Sequence, residues 1–211
     1  MTLARARWAA ATAAAALAVT LAACGSSSGG SSTSPAGLGG ANASTPSPAT
    51  TELSPTGDIP DNQAYVTFSP AGGVYALSVP EGWASTGSGS SASFTDKLNS
   101  IDVRVSTSPA APSVATATAS GVDVAALRSS VPQFQLVKVE SFTRSAGTGT
   151  LIRYLADSQP DPVTGKVVRD AVERYAFWRN GQLVVLTLTG PQGADNVDPW
   201  TKVTNSFRWT K

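Results

Sequence analysis

Between Gly25 and Gly57 the chain carries almost nothing that it could bury. Of these 33 residues, 29 are Gly, Ser, Thr, Pro or Ala; the exceptions are Leu38, Asn42, Glu52 and Leu53. Such a stretch cannot offset the entropy of ordering its own backbone. It is expected to be a disordered linker with a root-mean-square span of roughly 30 Å. The folded part must then come from Asp58 to Lys211, 154 residues, the size of one ordinary domain. A chain of that length buries roughly 70% of its surface on folding. It needs no disulfide staple, and the single cysteine could not form one internally.

The residues before the linker read as an address. Met1 to Trp8 holds Arg5 and Arg7 and no acid, and Trp8 to Ala23 is apolar or small. That is the charged and apolar succession of a secretory signal peptide. The run is shorter than the roughly 20 residues that span a bilayer, and Ala6 between the arginines excludes a twin-arginine signal. It ends in Leu21-Ala22-Ala23-Cys24-Gly25, which resembles the bacterial lipobox. The resemblance implies that a diacylglycerol is joined to the Cys24 sulfur, that the chain is cut before Cys24, and that the new terminus takes a further acyl chain such as palmitate. Two or three chains anchor stably where one does not. The expected divisions are a lipoprotein signal peptide over 1–23, lipidated Cys24 with its linker over 24–57, and a globular domain over 58–211. The expected location is the outer face of the cell membrane, with the membrane as partner through Cys24. The plain alternative for Cys24 is an ordinary thiol.

Several function classes are excluded by what the chain lacks. Lys and Arg number 15 against 14 Asp and Glu, and within 58–211 the balance is 13 to 13. Nucleic-acid binding needs a basic face, so no nucleic-acid partner is expected. There is no histidine, which removes the Ser-His-Asp triad and the commonest metal ligand. No Ser-x-x-Lys dyad and no phosphate-binding glycine motif occurs. Gly25-Ser26-Ser27-Ser28-Gly29 matches a nucleophile elbow only by composition, since neither a strand nor a helix adjoins it. No cofactor is expected.

Most of 58–211 reads as strands. Tyr65–Phe68 and Val74–Val79 flank the turn-rich Ser69-Pro70-Ala71-Gly72-Gly73, as in a hairpin. Ile101, Val103 and Val105 alternate with Asp102, Arg104 and Ser106, giving a strand with one buried face. Phe134–Thr143, Leu151–Leu155, Val167–Trp178 and Leu183–Leu188 follow. The last two are joined by Arg179-Asn180-Gly181-Gln182, and Asn-Gly is the strongest short hairpin signal. Leu183-Val184-Val185-Leu186 is apolar on both faces, which predicts a central strand with layers above and below. Two helices are expected. One starts with Asp198 as N-cap and Pro199 at N1 and buries Trp200, Val203 and Phe207. The other lies within 113–131, stripes Val124, Leu127 and Val131, and stops at Pro132.

Phe68 with Tyr75-Ala76-Leu77-Ser78-Val79-Pro80-Glu81-Gly82-Trp83 resembles the opening hairpin of PsbP-like domains, in which an aromatic-x-Leu strand runs into Pro-x-Gly-Trp. Arg174-Tyr175-Ala176-Phe177, the Asn180-Gly181 turn, Leu186-Thr187-Leu188-Thr189 and Ser206-Phe207 complete the likeness, which covers about 64–209. The order of elements is similar to actinobacterial lipoproteins of the LpqN type. The resemblance implies an α+β fold: an antiparallel β-sheet flanked by helices, a PsbP-like α/β/α sandwich. It supplies no catalytic residue.

The candidate binding residues are Trp83, Arg174 and Trp178. Trp83 follows a turn and could face a ligand or plug one end of the core. Arg174 and Trp178 alternate with Val172 on one strand face, where a guanidinium beside an indole could hold an anionic or sugar ligand or form a solvated cross-strand pair. Asp157, Asp161 and Asp170 surround the Pro160-Asp161-Pro162 loop, but their spacing is not that of a calcium loop, and no metal site is expected. Asp195 and Asp198 read as helix caps. Three functions remain open. One is a non-catalytic binding module holding an envelope lipid, glycan or protein. The second is an envelope glycan hydrolase with paired carboxylates, though no pair stands out. The third is a folded spacer without a ligand.

Overall fold

Leu183 to Leu188 builds the middle of the molecule. In a computed structural model of the chain, which describes residues 56–119 and 122–211 and the side chains among them outside 118–122, these residues lie in β9 (Gln182–Pro191). Cys24 and the linker up to residue 55 lie outside the described residues. Before β9 come β1 (Tyr65–Phe68), β2 (Tyr75–Pro80), β3 (Ala84–Ser88), β4 (Ser91–Asp96), β5 (Asn99–Thr107), α1 (Val114–Ala119), α2 (Val122–Ser130), β6 (Gln135–Arg144), β7 (Gly147–Asp157) and β8 (Arg169–Arg179). After it come α3 (Val197–Ser206) and β10 (Arg208–Trp209). Seven strands pair in the order β3-β4-β5-β9-β8-β7-β6, and β9 is the fourth. Every pairing is antiparallel. A second sheet, β1-β2-β10, pairs its strands separately. The fold class is α+β, an antiparallel sheet flanked by helices.

Local chemistry sets the pairing. Asn180 and Gly181 have φ of 49° and 81°, the two positive values of a type I′ turn, whose twist matches that of the strands it joins. Register then sorts side chains by parity. Val184, Leu186 and Leu188 share a face with Tyr175 and Phe177 of β8 and with Ile101 and Val103 of β5. That face is covered by Trp200, Val203 and Phe207 from α3 and its exit, and by Tyr75, Leu77 and Val79 of β2. Phe207 is its pivot: 1% exposed, stacked on Phe177 at 4.0 Å between centroids and on Tyr75 at 6.1 Å. The opposite face packs Ile152, Tyr154, Ala156 and Val172 against Ala117 and Val124 of α1 and α2.

One expectation needs correcting, and two regions hold more than the sequence indicated. The region 113–131 carries two helical segments, Val114–Ala119 and Val122–Ser130, with residues 120 and 121 outside the described residues, and Val124, Leu127 and Val131 pack on the same apolar cluster. The segment 84–96 forms the β3–β4 hairpin, for which Ala84-Ser85-Thr86-Gly87-Ser88 offers no apolar alternation; β3 is an exposed edge strand and buries none of its residues. Finally, α3 begins at Val197 with Asn196 in the N-cap position, ahead of Asp198 and Pro199, and no side chain caps it. Asp198 lies in the first turn, where its charge suits the helix dipole. Asp195 lies one residue ahead of the cap position, and its backbone N–H donates to the Asp58 carboxylate at 2.9 Å.

The Asn196 side chain is occupied elsewhere. Its oxygen accepts the Ile59 N–H at 2.8 Å, and its amide donates to the Gly57 carbonyl at 3.1 Å and to Asn99 Oδ1 at 3.0 Å. Asn99 donates in turn to the same carbonyl at 2.9 Å. Both asparagines are buried, at 5% and 4% exposure, so their polar groups must be satisfied internally. A Cβ on Gly190 would sit 2.6 Å from Asn99 Oδ1 and 2.8 Å from Asn196 Nδ2; glycine there leaves room for the clasp.

Two substitutions separate packing from polarity in this core. Phe207→Ala should cost about 3–5 kcal/mol, read as a lowered urea midpoint. Tyr75 is fully buried and its hydroxyl has no hydrogen-bond partner among the described residues, and burial pushes its pKa up to about 12. Tyr75→Phe should therefore leave stability unchanged or raise it by about 1 kcal/mol, read as an equal or higher urea midpoint.

Candidate functional site

The sheet is wider than its covers, and each face is covered only in part. α3 and the small sheet cover one face; α1 and α2 cover the β6–β7–β8 side of the other. Two stretches stay open, and their chemistry differs.

On the α3 face, the open stretch lies over β6, β7 and β8. Arg153 sits between two carboxylates: its Nη1 meets Glu140 at very short range and its Nε donates to Glu173 at 2.9 Å. Lys138 pairs with Glu140 at 2.6 Å, and the Tyr175 hydroxyl donates to Glu173 at 2.7 Å. Hydrogen bonding from Lys138, with Arg153 nearby, holds the Glu140 carboxyl below its ordinary range. Burial and the Glu173 charge push the Tyr175 hydroxyl up. The charges of this stretch are matched among themselves.

On the other face, the open stretch lies over β5, β9 and β8. Register places Asp102, Thr187 and Arg174 in one row, Arg104, Val185 and Ala176 in the next, and Ser106, Leu183 and Trp178 in the third. The strand spacing and rise put the Cα atoms of Arg104 and Arg174 about 12 Å apart. Neither guanidinium makes an ion pair or side-chain hydrogen bond with any described residue. Arg104 is exposed and Arg174 half-buried. Burial raises the Tyr154 hydroxyl, with the Arg174 charge lowering it and the Asp102 charge raising it.

The connection from β5 to α1 crosses this face. The Trp178 indole N–H donates to the Ser108 carbonyl at 3.0 Å, and the Thr150 hydroxyl donates to that of Pro112 at 2.9 Å. Pinned at both points, the segment walls a cleft of about 420 Å³ with Ser108, Pro109, Ala110, Leu183 of β9 and Asp123 of α2 among its lining. The open rows and the cleft beside them together combine fork-shaped donors, a carboxylate acceptor, hydroxyls and an indole. This surface can hold a polar ligand by hydrogen bonds.

Of the three residues singled out in sequence, Arg174 and Trp178 share this face. Trp83 does not. It is half-buried on the opposite side, edge-on to Trp200 at 6.4 Å, and packs against the main core while lining a separate cleft of about 280 Å³ beside Ile59, Lys97 and Asn99. Arg104 had no distinguishing signal: it occupies a solvent-side position of an alternating strand, and only the structure reveals that no carboxylate meets it.

The acids near the β7–β8 loop are used locally. Asp161 accepts the backbone N–H groups of Val163 and Thr164 and the Thr164 hydroxyl, which lowers its pKa. Asp157 pairs with Arg169 at 2.9 Å. Among the described residues no group of three or more Cys, Asp or Glu side chains is placed to hold a metal ion. Asp170 is 8% exposed, and burial, reinforced by the Asp157 charge, raises its pKa to about 6.

No protein-family model and no curated protein matches the chain. Among solved structures it is similar to cyanobacterial PsbP (CyanoP) from Synechocystis sp. PCC 6803, at 18% identity over 70% of this chain and 93% of that one, with a TM-score of 0.48. It is also similar to the Saccharomyces cerevisiae Ran-binding protein Mog1p, at 11% identity over 69% and 95% of the two chains and a TM-score of 0.43. A third is LpqN, involved in cell envelope biogenesis of Mycobacterium tuberculosis, at 16% identity over 72% and 87% and a TM-score of 0.40. None shares enough sequence to lend this chain a residue's role.

The Asp170 shift fixes a pH dependence. Its folded pKa of about 6 exceeds the ordinary 3.8, so the folded state binds the extra proton between those values and stability falls as pH rises through that window. Below about pH 4 the side chain is neutral in both states and the penalty vanishes. Asp170→Asn should raise stability by up to about 3 kcal/mol at pH 7.5 and leave it nearly unchanged at pH 3.5, as read by urea midpoints at the two values. Equal effects at both pH values would show that Asp170 ionises without penalty.

Proposed function

We propose that the chain is a lipid-anchored, extracytoplasmic, non-catalytic binding module of the bacterial cell envelope, and that it holds its partner on the open face bearing Arg104, Arg174 and Trp178. The carrying observation is the contrast between the two open stretches. Arg153 is engaged by two carboxylates, whereas Arg104 and Arg174 have no partner among the described residues. A guanidinium left open on a sheet face is available to an incoming ligand.

The anchoring part of the reading rests on sequence. The apolar run ends at a lipobox-like Cys24, and the low-complexity linker separates that cysteine from the domain. No helix among the described residues is long and apolar enough to cross a membrane. The non-catalytic part rests on the missing histidine and on the way the acids are placed. Glycan hydrolysis needs a raised acid and an ionised carboxylate flanking a reachable bond. Asp170 has the raised pKa, but it is 8% exposed, and its neighbour Asp157 is engaged by Arg169.

Cys24→Ser should move the protein from the membrane pellet to the soluble fraction after cell lysis; retention in the pellet would remove the lipid anchor from this reading. The full chain, used as bait in detergent-solubilised envelope, should enrich a specific lipid, glycan or protein over an unrelated lipoprotein. An empty capture would favour a folded spacer.

A further inference from the structure

We infer that the open face of β5, β9 and β8 is a saccharide site whose ligand carries acidic groups; this deepens the binding-module reading and rests on it. Three features select the chemistry. First, Arg104 and Arg174 carry two planar donor forks on Cα atoms about 12 Å apart, with no carboxylate of the described chain within ion-pair distance. Forks of this kind recognise carboxylate and phosphate oxygens bidentately. Second, the surface between and around them is built for hydroxyls. Thr187 lies between Asp102 and Arg174 in the same row, Ser100 and Thr189 form the next row, and Ser106 lies beside Leu183. Asp102 is an acceptor for sugar hydroxyls, and its only described hydrogen bond is a long one, 3.4 Å, from Ser100. Third, the Trp178 ring is tethered by its own N–H to Ser108 at the edge of the cleft, which fixes an apolar plate where the pyranose C–H face would rest.

Competing ligands fit less well. The domain's 13 cations and 13 anions give it no net charge to gather a nucleic acid. Among the described residues the exposed large apolar side chains are Val66, Val114, Val137, Val163, Val167 and Val197, none of them on β5, β8 or β9, so these strands present no exposed large apolar side chain to a lipid layer. An acidic peptide would satisfy the guanidinia, but its acidic side chains would bring no hydroxyls to Asp102 and, in the cleft, to Asp123.

The test uses the full chain in detergent micelles and isothermal titration at low salt. The probes are hexagalacturonate, phosphorylated maltohexaose, neutral maltohexaose and hexaglutamate. At least one acidic hexasaccharide should bind ten-fold or more tightly than neutral maltohexaose, and which one does so identifies the anion. Arg104→Gln and Arg174→Gln should each weaken it five-fold or more and flatten its salt dependence. Arg179→Gln, at the exposed end of β8, should not. Urea midpoints equal to wild type would show that the glutamine variants fold. The proposal is overturned if neither acidic saccharide binds at millimolar concentration, if neutral maltohexaose or hexaglutamate binds as tightly, or if the double variant Arg104→Gln/Arg174→Gln binds like wild type. If the saccharides fail while the wild-type chain still captures a specific envelope component, the ligand class falls and the binding module stands; an empty capture takes both.

Discussion

A seven-stranded sheet measures about 30 Å across its strands, and one helix covers a band about 10 Å wide. The rest of the structure follows from that mismatch. The three helices span ten, nine and six residues, too little to roof both faces. The chain places the longest, together with the small β1-β2-β10 sheet, over the strands richest in apolar side chains, and the two shorter ones over the far side of the other face. What is left open must tolerate water, and the strands there turn polar residues outward while keeping their apolar ones inward.

The two open stretches solve this in different ways. On one, lysine, arginine and glutamate neutralise each other through a chain of hydrogen bonds, and the Tyr175 hydroxyl ends it. Such a surface is indifferent to its surroundings, and partly exposed pairs of this kind contribute little to stability. On the other, the two arginines form no ion pair with any described residue, and a crossing loop is fastened over the sheet by an indole and a threonine. Holding that loop down builds a wall, and a wall on an otherwise flat face makes a cleft.

How much of this was legible in the sequence depends on whether the signal was local. The Asn180-Gly181 turn, the alternation of Ile101, Val103 and Val105, and the Trp200, Val203 and Phe207 stripe each carry their meaning within a few residues, and each strand, turn or packing face was read correctly. β3 was hidden because a strand at a sheet edge, facing water on both sides, needs no apolar side chains. The N-terminus of α3 was misread because Asp198-Pro199 is a strong local start signal, while the pull on Asn196 comes from Gly57, Ile59 and Asn99, far away in sequence. The site was half legible for the same reason. Arg174 and Trp178 share one strand and one parity, but Arg104 joins them only through β9, and the absence of a partner is a property of the whole surface.

The asparagine clasp has a mechanical consequence. Gly57 and Ile59 are tied to Asn196, just beyond the end of β9, and Gly57 also to Asn99, at the start of β5. β5 and β9 are neighbours in the middle of the sheet. Tension applied to the chain ahead of Gly57 therefore enters at two adjacent central strands, where rupture demands shearing many ladder bonds at once. Entry at β3 or β6 would let the sheet unzip one bond at a time.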